Sequence, residues 1–528
     1  MGSIISLKLL VFSPLLMSIV FLLPIFSGHT VLIRRFAKIF AGLHFLYALL
    51  FYVFANFTTE NDNYLSLINS IAGNVENGQL PLNFFSELTF FGSSWINSLG
   101  IKLTFGLDGI SLFFVILTSF LVLMTCIASK GIIQQKHSLF YALIFILETA
   151  ILGVFASCDM FEFFMFWELE LIPMYFLISL WGDGKAKKSA MKFLLYTFIG
   201  SLFMLVGFLM LYNFNFIATG MFSADIHTLT LNIDTTPVYL QILASLFMLF
   251  GFAVKLPIIP FHTWLPNAHV DAPTPVSMLL AGILLKMGGY GIIRFNLQLL
   301  PDAFLYIAPY LVVLAFINII FAAIVAYYQN DIKAIVAYSS ISTMGIVLLG
   351  ICSLNTLGIA GAIFLMLAHG IISATLFFIV GTIYKRTKTR ELVQLGGLAK
   401  VMPRLAGFSL LFMFAGIGVP ATMGFVGEFL SFVGAFGSSI LNNYMIQTIV
   451  IISILVLILS AAYLLKLIHK VFYGSQLERW NSLSDITNHE FVVLFVMTFV
   501  VILFGVYPMP IIDTISPCIL SIVEAFGG

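Results

Sequence analysis

Runs of about twenty residues with almost no charge recur along the whole chain, and this recurrence limits what it can fold into. A helix needs about 20 mostly apolar residues to cross the hydrocarbon core of a bilayer. About fourteen such segments can be marked: 5–27, 36–56, 109–129, 138–157, 160–181, 191–214, 237–263, 274–296, 304–328, 334–352, 358–384, 406–436, 443–468 and 490–512. Only 9% of the residues are charged, against about 25% in soluble domains. The expected fold is an all-α polytopic membrane protein with about 14 transmembrane helices. The longest connection, 57–108, carries scattered Asn and Glu, and no soluble domain is left over. The first segment resembles a signal peptide. Its apolar run is long, however, basic residues follow it and no A-x-A-like site is evident, so a retained first helix is expected.

Basic residues are confined to alternate connections. They are Arg34, Arg35 and Lys38; Lys130 and Lys136; Lys185, Lys187 and Lys188; Lys333; Lys385, Arg386, Lys388, Arg390 and Lys400; then Lys470 and Arg479. The intervening connections hold almost none, and 215–236 carries Asp225 and Asp234 without Lys or Arg. Lys and Arg accumulate in cytoplasmic loops. The alternation therefore predicts an even number of crossings with both termini on the outer side. A net charge of +1 gives no reason to expect nucleic acid or an acidic substrate. Cys126, Cys158, Cys352 and Cys518 form no CxxC pair, so no disulfide framework, zinc site or iron–sulfur cluster is expected in this chain.

An ionisable side chain at mid-bilayer costs roughly 2.5–3.5 kcal/mol and usually marks an ion or proton path. The fourth and fifth segments hold Glu148, Glu162, Glu168 and Glu170; the seventh holds Lys255, the eighth Lys286, the eleventh His369 and the twelfth Glu428. Ion pairs that set helix packing are one reading. Acids, lysines and a histidine spread over several helices favour conduction.

Two segments carry built-in breaks. In AVKLPIIPFHTWLP, Pro257 removes a donor and clashes with the carbonyl of Ala253, so the helix should break where Lys255 sits. In GIGVPATMGFVGEF, Gly416, Gly418, Pro420, Gly424 and Gly427 lead to Glu428. The two prolines lie 163 residues apart. Broken helices in corresponding positions of two halves point to an inverted-repeat transporter. Burial in low dielectric brings lysine and glutamate towards neutrality from opposite sides, and histidine titrates there unaided. A carboxylate beside a lysine holds its proton, and moving that carboxylate releases it; Glu168 and Lys255 could form such a switch. His369 could relay between Lys286 and Glu428. His262 and His269 are seven residues apart with prolines nearby and imply no metal geometry.

The runs FWELELIPMYFLISLWG, AVKLPIIPFHTWLPNAHVDAPTPVSMLLAGILLKMGGYGIIRF, LMLAHGIISATLFF and GFVGEF closely resemble the chain 4 (subunit M) family of antiporter-like membrane subunits in proton-translocating NADH–quinone oxidoreductases (complex I). The resemblance covers roughly residues 100–475. It implies two inverted five-helix repeats, with helices seven and twelve broken. Residues 1–137 would hold helices one to three and a long external loop, 138–296 the first repeat, 304–472 the second, and 473–528 a loop and helix fourteen. It also implies a proton path through Glu168 of the W-E motif, Lys255 of V-K-x-P, Lys286 of G-I-L-L-K, His369 of A-H-G and Glu428 of V-G-E-F. No cofactor would bind here; NADH, flavin, iron–sulfur clusters and quinone would sit in partner subunits. Sibling pump subunits would be the neighbours, and a bacterial inner membrane the location, with mitochondrial and thylakoid membranes as alternatives.

One position departs from the family pattern: SISTMG places Thr343 where S-V-S-H-M-G has histidine, and threonine cannot hold an extra proton. Glu168 and Glu170 are two apart and point to nearly opposite helix faces, so both cannot line one channel directly. A cation/proton antiporter subunit and a membrane-bound hydrogenase subunit are alternatives, as is a purely structural membrane subunit. The antiporters and the sibling pump subunits typically have lysine where this chain has Glu428, and the full Glu–Lys–Lys–His–Glu set argues against a structural role alone.

Overall fold

The computed structural model describes residues 6–23, 29–59, 85–89, 95–440, 444–475 and 477–526. Helix dominates because apolar surroundings offer no water to backbone groups, and a helix satisfies its own. In chain order the helices are α1 (Leu7–Leu22), α2 (Thr30–Thr59), α3 (Gly109–Ala128), α4 (His137–Ala156), α5 (Met160–Leu169), α6 (Leu171–Trp181), α7 (Ala186–Thr219), α8 (Ile226–Asn232), α9 (Val238–Lys255), α10 (Trp264–Asp271) and α11 (Thr274–Leu279). They continue with α12 (Leu285–Gly291), α13 (Pro301–Tyr328), α14 (Ile332–Ile351), α15 (Thr356–Thr387), α16 (Pro403–Ile417), α17 (Met423–Phe436), α18 (Tyr444–Ser453), α19 (Val456–Ile468), α20 (Asn488–Val506) and α21 (Met509–Glu524). Several starts carry side-chain caps. Asp108 accepts from the amides of Ile110 and Ser111, and Asp159, Asp331 and Asn355 act alike at α5, α14 and α15.

Among the described residues, 12 helices are long and apolar enough to cross a membrane. The segments at 5–27 and 406–436 are helical too, but in the shorter apolar pieces Leu7–Leu22, Pro403–Ile417 and Met423–Phe436. The two expected breaks are present: α9 ends at Lys255 and α10 starts at Trp264, while α16 ends at Ile417 and α17 starts at Met423.

Four features go beyond the expectation. Within the 57–108 connection, β1 (Phe85–Thr89) pairs antiparallel with β2 (Thr104–Leu107). The fifth segment is interrupted at Glu170 between α5 and α6. There Pro173 has no amide to offer the Leu169 carbonyl, which loosens that turn. The eighth segment carries two π-helical stretches, Leu280–Leu284 and Ile292–Gln298, on either side of Lys286. The last expected helix, 490–512, ends at Val506, and α21 follows with Ile511, Ile515, Ile519 and Ile522 buried. α21 packs against α3 and α15.

Small residues bring α15 and α17 together, and this contact carries Glu428 to the centre. A Cβ on Gly427 would sit 2.7 Å from Leu365 Cα, and Gly434 lies against the backbone of Gly358. With no hydrophobic drive between helices in lipid, such close backbone approach supplies the attraction through van der Waals packing. Gly427→Leu should force the two helices apart at a cost of about 1–3 kcal/mol or more. The expected result is less of the protein in the membrane and a lower melting temperature in detergent. An unchanged melting temperature would mean that this contact is not tight.

Candidate proton-transfer site

The ionisable residues predicted inside the membrane fall on the central helices. Lys255 is the last residue of α9, and its Nζ forms a buried ion pair with Glu170 Oε1, the side chains 1% and 0% exposed. Trp167 and Phe193 flank the ammonium, with ring centroids 5.2 and 5.7 Å away. A charge so deep in low dielectric is tolerable only when paired. Glu170 lies in the turn loosened by Pro173, and Lys255 at the break made by Pro257. The pair therefore joins two helix interruptions.

The sequence pointed to Glu168 as the lysine's partner, and here the structure differs. Glu168 is only half-buried, lies within electrostatic range of Lys255 and turns its carboxylate towards Ser201 of α7. A step of two residues on a helix swings a side chain to nearly the opposite face, so one acid meets the lysine and the other faces α7.

The break after Lys255 is held by neighbours. The amide of Ile259 donates to Asn318 Oδ1 at 3.0 Å, and the Trp264 indole donates to the Val254 carbonyl at 2.8 Å. Asn318, from α13, in turn donates to the Ile341 carbonyl of α14 at 2.9 Å.

Lys286, on α12, is fully buried. Its Nζ donates to the Ala281 carbonyl at 2.5 Å and lies 2.7 Å from Nδ1 of His369 on α15. Two protonated groups cannot face each other across this gap, so the pair shares one proton between them. His269, on α10, is also fully buried; it stacks on Phe377 at 4.3 Å, and neither ring nitrogen has a hydrogen-bond partner. Thr343 donates to the Ser339 carbonyl of its own helix at 3.1 Å.

Glu428 lies on α17 and is buried. Its carboxyl group rests on the Cα of Gly418, in the place a Cβ there would take. Gly418 has φ +82°, a left-handed conformation that favours glycine. Glu428 Oε2 has no hydrogen-bond partner.

The structure thus joins Lys255 to Glu170 and Lys286 to His369, places Glu168 beside the first pair, and leaves Glu428 Oε2 without a hydrogen-bond partner at the second break. Glu162 stands apart, accepting from the Thr104 amide at 3.1 Å. Glu148 turns to His44, 2.9 Å away. His44 falls inside the 36–56 segment and was legible by the same rule that picked out the other buried ionisable groups. No cluster of three or more His, Cys, Asp or Glu side chains able to hold a metal stands among the described residues.

Residues 157–457 match the family model described as NADH:quinone oxidoreductase/Mrp antiporter, transmembrane region. NADH-quinone oxidoreductase subunit M of Rickettsia prowazekii is 40% identical over 421 residues, 80% of this chain and 83% of that protein. NAD(P)H-quinone oxidoreductase chain 4 of Acaryochloris marina is 42% identical over 422 residues, 78% of this chain and 77% of that one. Among solved structures, a chain of respiratory complex I from Thermus thermophilus with bound NADH superposes with TM-score 0.84 at 26% identity, covering 99% of this chain and 100% of that one. A chain of the Mrp complex from Dietzia sp. has TM-score 0.80 at 19% identity, covering 98% and 99%, and shows the shared fold alone.

Two substitutions test the geometry. Glu170→Gln removes one side of a buried pair, a change that typically costs about 3–5 kcal/mol. It should depress proton uptake by membrane vesicles and do so at least as strongly as Glu168→Gln; wild-type uptake would show that Glu170 is a bystander. Gly418→Ala should displace the Glu428 carboxyl and lower uptake, whereas Gly407→Ala, whose new Cβ meets nothing within 4 Å, should not.

Proposed function

From a chain that belongs to the NADH:quinone oxidoreductase/Mrp antiporter transmembrane family, as this one does, we infer the working of a proton-translocating subunit of NADH–quinone oxidoreductase. It is a multi-pass membrane protein with relatives in bacteria and cyanobacteria. The single observation that carries the reading is a set of buried ionisable side chains joined in pairs, Lys255 with Glu170 at a helix break and Lys286 with His369.

In this reading the proton path uses Glu168, Lys255, Lys286, His369 and Glu428, and Glu170 joins it as the direct partner of Lys255. With the Glu170–Lys255 pair closed, the carboxylate holds the ammonium proton. Parting the two frees that proton to move towards Lys286. The Lys286–His369 contact passes one proton between two nitrogens without bringing two charges together. Glu428, a lone acid at the second break, takes it next and releases it. Thr343 serves at most to orient water on the way. The chain would hold two inverted repeats, 138–296 and 304–472, within fourteen crossings, both termini outside. NADH, flavin, iron–sulfur clusters and quinone would belong to partner subunits. Sibling pump subunits would lie alongside in a bacterial inner membrane. A cation/proton antiporter would typically have lysine in place of Glu428, which favours the oxidoreductase.

Lys255→Ala and Glu428→Gln in the native complex test the path. Both should assemble and keep NADH oxidation by an artificial acceptor, yet lose most NADH-driven proton uptake in inverted vesicles. Normal pumping in both would make these charges structural ion pairs. Sodium-dependent proton exchange without NADH-linked activity would move the assignment to the antiporters.

A further inference from the structure

One buried titratable pair takes no part in that path. Glu148, in the middle of α4, turns towards α1 and α2, where His44 Nδ1 lies 2.9 Å from its Oε1. His44 Nε2 lies 2.9 Å from the Leu10 carbonyl oxygen. The two side chains are 2% and 0% exposed, and Phe40 stacks on the imidazole at 5.8 Å.

The partners dictate where the protons are. A carbonyl oxygen can only accept, so Nε2 carries a hydrogen. A carboxylate oxygen also only accepts, and a bare Nδ1 facing it would set two lone pairs against each other. One proton must therefore sit on one of these two atoms, which lie at ion-pair distance but out of hydrogen-bond alignment. It makes either an imidazolium facing a carboxylate or a neutral imidazole facing a carboxylic acid, and the pair is neutral overall in both forms. Neither oxygen of Glu148, nor His44 Nδ1, has an aligned hydrogen-bond partner, so the carboxyl group stays open to a proton. Among the described residues, Cys126 on α3 lies within electrostatic range of Glu148, and Lys38 on α2 within range of Cys126 but not of the pair. Lys38 belongs to the basic cluster with Arg34 and Arg35.

We propose that His44 and Glu148 form a second proton-binding site in the membrane, set apart from the lysine path, whose shared proton takes part in translocation. This rests on reading the chain as a proton-translocating subunit. A mere clamp between α2 and α4 would not need a carboxylate, since a glutamine amide donating to Nδ1 holds the same contact with nothing to exchange.

Glu148→Gln in the complete complex makes that distinction. The variant should assemble and retain quinone reduction, but show a partial loss of protons taken up per electron pair. Its acid-minus-alkaline infrared difference spectrum should lose the carboxyl and imidazole bands of the pair. A wild-type pumping ratio, or an unchanged infrared difference spectrum, overturns the proposal. If Glu148→Gln does not assemble, His44→Gln carries the same two readouts, and failure of both to assemble overturns the proposal in favour of a clamp. Lys255→Ala measured alongside separates the two readings. Normal pumping there refutes the translocation path, whereas normal pumping in Glu148→Gln alone refutes only this site.

Discussion

A backbone amide or carbonyl left without a partner in hydrocarbon costs several kcal/mol, and the rest of this structure follows from that cost. It explains why the chain is helical wherever it is apolar. It also explains why an interrupted helix is informative. The chain breaks helix beside Lys255, beside Glu170 and ahead of Glu428, and the first of these breaks is underwritten by a neighbour. Asn318 takes the Ile259 amide and gives its own to Ile341, so one side chain on α13 links the break to α14. The indole of Trp264 reaches back across the gap to Val254. These bonds let Lys255 end a helix deep in the protein.

The two breaks solve a similar problem in different ways. In the first, the charged residue is the last of the leading half-helix, and its partner comes from another helix. In the second, the charged residue lies in the trailing half, and its carboxyl folds back onto Gly418. Measured from the prolines, Pro257 and Pro420, Gly418 occupies the place of Lys255. The leading half of the second break thus gives up a side chain so that the carboxyl of the trailing half can fill the space. A lysine in the leading half of one break and an acid in the trailing half of the other would suit the two half-paths of the proposed function.

Much of this was legible in the sequence, because the signals are local. Apolar run length marked the crossings, and proline marked both predicted breaks to within a residue or two. What the sequence could not rank was direction. WELEL offers two acids two residues apart, and only the packing of the fifth segment against α9 decides that Glu170 meets Lys255 while Glu168 faces α7. The loosened turn at Glu170 could have been anticipated from Pro173, since the missing amide removes the bond to Leu169. The hairpin β1–β2 and the helix α21 escaped because their apolar stretches are too short or too mixed to register as crossings. The helices that α21 packs against, α3 and α15, lie far away in the chain.

Paired and unpaired groups are divided in a way that bears on mechanism. Lys255 has an acid and Lys286 an imidazole as hydrogen-bond partner, whereas Glu428 Oε2, both nitrogens of His269 and both oxygens of Glu148 beside His44 have none. A buried acceptor with no partner is costly at rest. It also has no competing bond to break when a proton arrives. On the proposed path, closed pairs would hold protons and open groups would receive them. Along that path, a chain that contains both, with Lys255 at one helix break and Glu428 at the other, would move a proton by opening one pair at a time.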